Sequence, residues 1–362
     1  MKLRLTLMLM ALLAGPAQAA DMTAADSDLA ARLQRIAAIS PFADMHAHPS
    51  RFHRSELLHV EAEEIDRYLS NNVRLAVANI SSDMPYTGRY TLRDGTVVPR
   101  GKYKPSPGTV FELTMDRMQR LQETFRLGLA EQGDTPLALT RTPTSLVFIP
   151  ALEGGDALEG KIDNLVALHE AGLRLIQLVH FRANAIGHIQ THPYSPGGLT
   201  SFGEAVVSKS NELNIIIDLA HANDETMWDV LRLSKDPVIF SHGSVKAISD
   251  IDRAVSDDLI RAIAAGGGII GIWPNGAVVE DIGLMVDMIE HVIKTAGIGH
   301  VGIGTDLRGV SRYATGFTPD DSFMAVARVM IERGYSDEDI ARVLGGNFIR
   351  LWKTISEQTE PG

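Results

Sequence analysis

Hydrophobic residues along the chain fall into short, near-continuous runs, separated by longer stretches in which apolar positions recur every three or four residues. Unbroken runs are what strands buried on both faces show, and the spaced stretches between them read as amphipathic helices. Eight strands are predicted, over 42–45, 75–80, 146–152, 173–179, 215–219, 238–241, 268–273 and 301–305. Helices are predicted between them over 161–171, 202–213, 224–234, 257–265 and 282–296, with Gly or Asn near several of their ends. A further helix is expected over 25–39, where Leu29, Leu33 and Ile36 follow the capping candidates Asp26 and Ser27. This alternation predicts an α/β fold, a TIM-like (β/α)8 barrel formed by residues 21–362 as a single domain. The rhythm breaks over 81–145, after the second strand. The first part of that segment is rich in Pro, Gly and Tyr, and the second, 109–130, reads as a long helix. A connection of this length in a compact domain is unusual unless it has a task, so the segment is expected to be an insertion forming a rim or lid over the pocket.

Six of the apolar runs end on residues that can hold a metal. They lead into His46 and His48, Glu153, His180, His221, His242 and Asp306. In a parallel β/α barrel the carboxyl ends of the strands share one mouth, so these side chains are expected to converge although they span most of the sequence. His46 and His48 are two apart on an extended segment and leave the same face. Glu153 is followed by Gly154 and Gly155, which allow close approach of backbone or substrate. The metal set is therefore His46, His48, Glu153, His221, His242 and Asp306, more ligands than one tetrahedral ion needs, and two ions are the natural count. Imidazoles and carboxylates without sulfur suit zinc, with manganese, iron or cobalt as other candidates. Such a pair makes hydroxide available from a bridging water near neutral pH and polarises a carbonyl, which points to amide or ester hydrolysis. His180, between the Glu153 and His221 positions, is assigned to the oxyanion of the tetrahedral intermediate. Arg253 is a cation available to a substrate carboxylate.

Composition narrows the class further. Lys plus Arg number 34 against 45 Asp plus Glu, a formal charge of −11, and no basic run could track a phosphate backbone, so no nucleic-acid partner is expected. Residues 1–20 carry Lys2 and Arg4, an apolar stretch over 5–15 and then Ala17-Gln18-Ala19-Ala20, the series of a cleavable secretory signal; export to the periplasm without a stable membrane anchor is the expectation. The chain has no Cys, which excludes disulfides and thiolate metal sites.

Several stretches together resemble the membrane (renal) dipeptidases, the M19 metallopeptidases of the metal-dependent amidohydrolase superfamily. They are Glu153-Gly154-Gly155, Leu178-Val179-His180 with Asn184, Gly198 to Gly203, Ile217 to His221, Pro237 to His242, Val301 to Asp306 and Gly346-Asn347-Phe348. The resemblance covers about 42–352 and implies a TIM-like barrel with two zinc ions bridged by a glutamate, hydrolysing dipeptides with tolerance for a D residue at the C-terminal position. By position, it implies that His46 binds the first zinc, Glu153 bridges, His221 and His242 hold the second, and Asp306 steers the nucleophilic water. It also implies that His180 and Asn184 face the substrate, that Arg253 meets the terminal carboxylate, and that a homodimer forms. Two positions depart from the family pattern. His46-Ala47-His48 stands where the family has His-x-Asp, which removes a negative charge from the first metal's shell. Leu307-Arg308-Gly309 stands where it has Phe-Asp-Gly, so Arg308 is expected to turn the pocket toward acidic substrates. Beside the dipeptidase reading stand a metal-dependent amidohydrolase acting on N-acyl amino acids, lactones or cyclic amides, and a non-catalytic secreted peptide- or metal-binding protein.

Overall fold

All eight predicted runs form strands: β1 Phe42–Ala47, β2 Val73–Ser81, β3 Val147–Glu153, β4 Leu175–Gln177, β5 Ile216–Asp218, β6 Ile239–Val245, β7 Ile269–Ile272 and β8 Val301–Ile303. The computed structural model describes residues 24–357 apart from 55–56, 88–89, 92–96, 99–103, 142–143 and 192–195. The signal-like segment 1–20 lies outside these described residues. Every neighbouring pair of strands is parallel, and the sheet closes where Asp44 of β1 pairs with Ile303 of β8 and Asp218 of β5 pairs with Ile239 of β6. The fold is a TIM-like (β/α)8 barrel. Its outer helices are α1 Ala62–Ser70, α2 Thr109–Arg126, α3 Ile162–Glu170, α4 Ser201–Glu212, α5 Asp224–Leu233, α6 Asp257–Ala265, α7 Ile282–Ala296 and α8 Phe323–Glu332. Four of them start on side-chain caps that satisfy otherwise orphaned backbone N–H groups: Thr200, Asn223, Ser256 and Asp281.

Alternation along the strands separates two apolar layers. Phe148, Ile176, Ile217, Phe240 and Ile270 belong to the layer shared with the helices. Ala43, Met45, Leu75, Val77, Val147, Ile149, Leu175, Ile216, Ile239 and Ile269 fill the barrel interior, where Phe348, Leu351, Trp352 and Ile355 of the C-terminal helix Asn347–Ser356 join them. Two residues further along the same inward-facing rows, chemistry changes. Val147-Ile149-Ala151 leads to Glu153, Leu175 to Gln177, Ile216 to Asp218 and Ile239 to Ser241, all buried. The carboxyl end of the barrel thus carries a polar layer above an apolar plug.

The segment 81–145 divides differently from the expectation of one lid. Helix α2 buries Val110, Thr114, Met118, Leu121 and Thr124 and packs against β2 and α3, so it is the wall helix of the second β/α unit. Glu131–Gln132 then pairs in parallel with the start of β3. What remains for a rim is 84–107, much of which lies outside the described residues. Among the described residues no helix is long and apolar enough to cross a membrane.

Candidate metal centre

Glu153, the last residue of β3, stands at the middle of the polar layer. Its Oε1 lies 3.2 Å from His46 Nε2, 3.2 Å from His180 Nε2 and 3.7 Å from His221 Nε2. Its Oε2 lies 3.4 Å from His48 Nε2 and accepts a 2.6 Å hydrogen bond from Ser81 Oγ. His46 and His48 both reach it, as their spacing on an extended segment requires. Asp306 Oδ1 approaches from the end of β8, 3.4 Å from His48 Nε2 and 4.0 Å from His46 Nε2. On the far side of Glu153, His221 Nε2 and His242 Nε2 are 3.2 Å apart. His46, His48, Glu153, His180, His221 and His242 are almost wholly buried. Both His221 and Asp306 have positive φ, 70° and 47°, a conformation that costs about 1–3 kcal/mol for such residues and persists where surrounding structure imposes it. Gly309 makes the Asp306 turn feasible, because a Cβ there would sit 1.8 Å from Asp306 Oδ1.

The electrostatics separate the histidines. Burial, then the charges of Arg253 and neighbouring imidazoles, hold His221 and His242 well below the ordinary histidine range, so both stay neutral, the form that binds a cation. Burial acts the same way on His46 and His180, but the carboxylates beside them outweigh it and shift both upward. Glu153 loses solvation by burial, yet His180, His48 and His46 hold it well below the usual carboxylate range. Arg253 is pushed down to about 10 by burial, against the pull of Asp306 and Glu153.

The donor set fits metal ions. His46, His48 and Glu153 each place a ligand atom within 4.8 Å of the others, as do Glu153, His221 and His242, and the two groups share Glu153. His46 Nε2 and Asp306 Oδ1 are buried and have no hydrogen-bond partner, although buried polar groups are nearly always satisfied. A carboxylate common to two three-ligand groups is the arrangement that holds two cations side by side.

The family model for membrane dipeptidases (peptidase family M19) matches residues 86–361, most of the chain. The chain belongs to the membrane dipeptidase family. It is 28% identical over 225 residues to Dipeptidase 3 of Rattus norvegicus and, equally, of Homo sapiens. The match takes in 59% of this chain and 46% of each relative, so the chain spans about half the length of these curated relatives. Among solved structures, the probable dipeptidase PvdM of Pseudomonas aeruginosa superposes with a TM-score of 0.75 at 18% identity, over 91% of this chain and 99% of that one. A metallo peptidase of Rhodobacter sphaeroides, liganded with a phosphinate mimic of the dipeptide L-Ala-D-Ala, superposes with a TM-score of 0.71 at 20% identity, over 87% and 99%. These structures share the barrel fold.

In this membrane dipeptidase family member the remaining expected residues divide. Arg253 is at the cluster, with its guanidinium 4.8 Å above the Trp273 ring; Nε donates to Gln190 Oε1 and Nη2 to the His242 carbonyl, which fixes its plane. Asn184 is not available to substrate. Its two amide hydrogens go to Asp156 Oδ2 and the Leu178 carbonyl, and its oxygen accepts from Ile186 N, so it shapes the loop behind His180. Arg308 also departs from expectation: Nε and Nη2 grip Glu64 of α1 at 3.1 and 2.7 Å, so the charge is turned to the helix layer and neutralised there.

The polar layer contains residues that sequence reasoning passed over. Asp83 is fully buried, and its Oδ1 accepts from His180 Nδ1 at 2.8 Å while Oδ2 accepts from Phe181 N at 3.1 Å. Asp218 accepts from Ala220 N, Ser241 N and Ser241 Oγ. Asp44 accepts from His46 N, Thr305 N and Thr305 Oγ1, and burial raises it to about 7 against those bonds. The available signal was an acidic or hydroxyl residue inside an otherwise apolar strand, as in Ile215-Ile216-Ile217-Asp218.

Proposed function

We propose that the chain is an exported dipeptidase that works with two zinc ions and accepts dipeptides with a D residue at the C-terminal position. The observation that carries this reading is the pair of three-ligand groups sharing Glu153, with His180 and Arg253 beside them. When bound, a pair of divalent ions lowers the pKa of water and polarises a carbonyl. The rest is work for the protein's own groups. Asp306 Oδ1, next to His46 and His48, is placed to hold the proton released by attacking water. His180 is held at Nδ1 by Asp83, so Nε2 is the atom presented to the cluster and would donate to the oxygen that becomes negative as the peptide carbonyl turns tetrahedral. Arg253 keeps N–H groups on Nη1 and Nη2 for the substrate's terminal carboxylate after its bonds to Gln190 and His242.

The ligand of the Rhodobacter sphaeroides relative, a mimic of L-Ala-D-Ala, supports the choice of dipeptides and of a D residue. Export rests on the signal-like residues 1–20. His48 favours the second reading, hydrolysis of N-acyl amino acids, lactones or cyclic amides, because a neutral ligand in place of a carboxylate makes the first ion a stronger Lewis acid. A screen of L,L and L,D dipeptides beside N-acyl amino acids, with added zinc, separates the two. Release of free amino acids from L,D dipeptides is expected, whereas turnover confined to N-acyl amino acids would establish the second reading in its place.

A further inference from the structure

Behind the ligands a single hydroxyl touches both halves of the cluster. Ser241, at an inward position of β6, places Oγ 2.5 Å from Asp218 Oδ2, 2.8 Å from His242 Nδ1 and 3.4 Å from His46 Nδ1. A serine hydroxyl has one proton to give and two lone pairs to receive with. Asp218 already accepts two backbone N–H bonds, from Ala220 and Ser241 at 3.0 and 2.9 Å, both on Oδ1. Both of these bonds occupy Oδ1, and Oδ2 is the atom that Ser241 Oγ meets at 2.5 Å, so the serine proton goes to Oδ2. Both lone pairs of Oγ are then left for N–H donors, and the atoms facing them are the Nδ1 positions of His242 and His46. Each ring in consequence carries its hydrogen on Nδ1 and directs a free lone pair from Nε2, toward Glu153 for His46 and toward His221 for His242.

Packing fixes the hub in place. A Cβ on Gly271 of β7 would lie 1.8 Å from the Ser241 carbonyl oxygen, and one on Gly304 beyond β8 would lie 2.1 Å from it, so glycine at both positions lets these backbones close on Ser241. Asp218, Ser241, His46 and His242 are all fully buried, which excludes water as a competing partner.

We propose that Ser241, anchored by Asp218, is a positioning residue that sets the tautomer and ring orientation of His46 and His242 together, and so tunes the affinity of both metal positions through one hydroxyl. The proposal rests on the two-ion reading but not on the identity of the substrate. Partners behind metal-bound imidazoles are typically worth about 10–100-fold in metal affinity. The distinctive consequence here is that one substitution reaches two ions whose other ligands differ.

The test is zinc binding by competition with a chromophoric chelator, on purified wild-type protein, Ser241→Ala and Asp218→Asn, each shown to be folded by circular dichroism before zinc is added. In Ser241→Ala both zinc equivalents are expected to weaken about 10-fold or more. Asp218→Asn should weaken both as well, because the amide can donate to Ser241 Oγ and turn the serine proton toward the histidines. Glu64→Gln, remote from the cluster, should leave both affinities unchanged. Weakening of one equivalent only, or of neither, in the two hub variants overturns the proposal. Wild-type protein that takes up no zinc overturns the metal reading and this proposal with it, whereas zinc uptake without dipeptide turnover overturns the substrate assignment alone.

Discussion

Asp83 decides which nitrogen His180 presents to the cluster. With Nδ1 bonded to a buried carboxylate at 2.8 Å, the ring cannot turn its other nitrogen away from Glu153 without breaking that bond. Asp83→Asn is expected to lower kcat by about 10–100-fold while zinc content stays at the wild-type level. In a His180→Ala background it should cost nothing further, because the two residues act as a unit; an additive loss in the double variant would show that Asp83 acts elsewhere. Arg308 makes the opposite case. Paired with Glu64, it cannot rank substrates by charge, so Arg308→Gln should leave the preference between acidic and neutral dipeptides unaltered. Burial raises Glu64, but the bonds and charges of Arg308 and Arg67 outweigh it and the net shift is downward. A depressed carboxylate stabilises the fold above its unfolded value of about 4.3, and that contribution disappears as pH falls through the lower folded value. With Arg308 32% exposed, solvent screening holds the contribution to about 1 kcal/mol. Urea unfolding of Glu64→Gln at pH 7 and at successively lower pH should show a gap of that size from wild type, closing below about pH 4.

At the scale of elements, the C-terminal helix is the piece on which the barrel interior closes. Trp352 is 2% exposed among Ile149, Leu351 and the other interior residues, and Asn347 ties the helix to the barrel through the Ile298 and Val301 carbonyls. Trp352→Ala should destabilise by about 3–5 kcal/mol in chemical denaturation, yet leave zinc affinity of the folded protein unchanged because the cavity opens at the opposite end from the ligands. Unbroken apolar runs made all eight strands legible, since a strand covered on both faces has little room for polar residues. Their ends were less legible: β4, β5 and β8 stop short of the predicted 173–179, 215–219 and 301–305, because buried, non-ladder backbone continues the same apolar run up to the site. Helix α1 carries too little signal to stand out, with Glu64, Ile65 and Tyr68 as its only buried residues. The rim expected over 81–145 failed for α2 because helical periodicity shows that a helix has a buried face without showing which surface covers it.

For the whole molecule, the convergence of the candidate ligands at run ends was legible because closure of a parallel barrel brings every carboxyl end to one mouth. The partners behind them were not, because Asp83 meets His180 across 97 positions and Ser81 meets Glu153 across 72, and cross-strand register decides such pairs. Residues 46 to 306 are proposed to form one hydrolytic site holding two ions. Zinc titration of chelator-stripped protein, with hydrolysis of L-Ala-D-Ala as the readout, tests it most directly. Activity should be lost on stripping and should rise with added zinc to a plateau at two equivalents per chain. Full turnover by the stripped protein, or a plateau reached with no zinc bound, would show that the cluster is not a two-ion hydrolytic site.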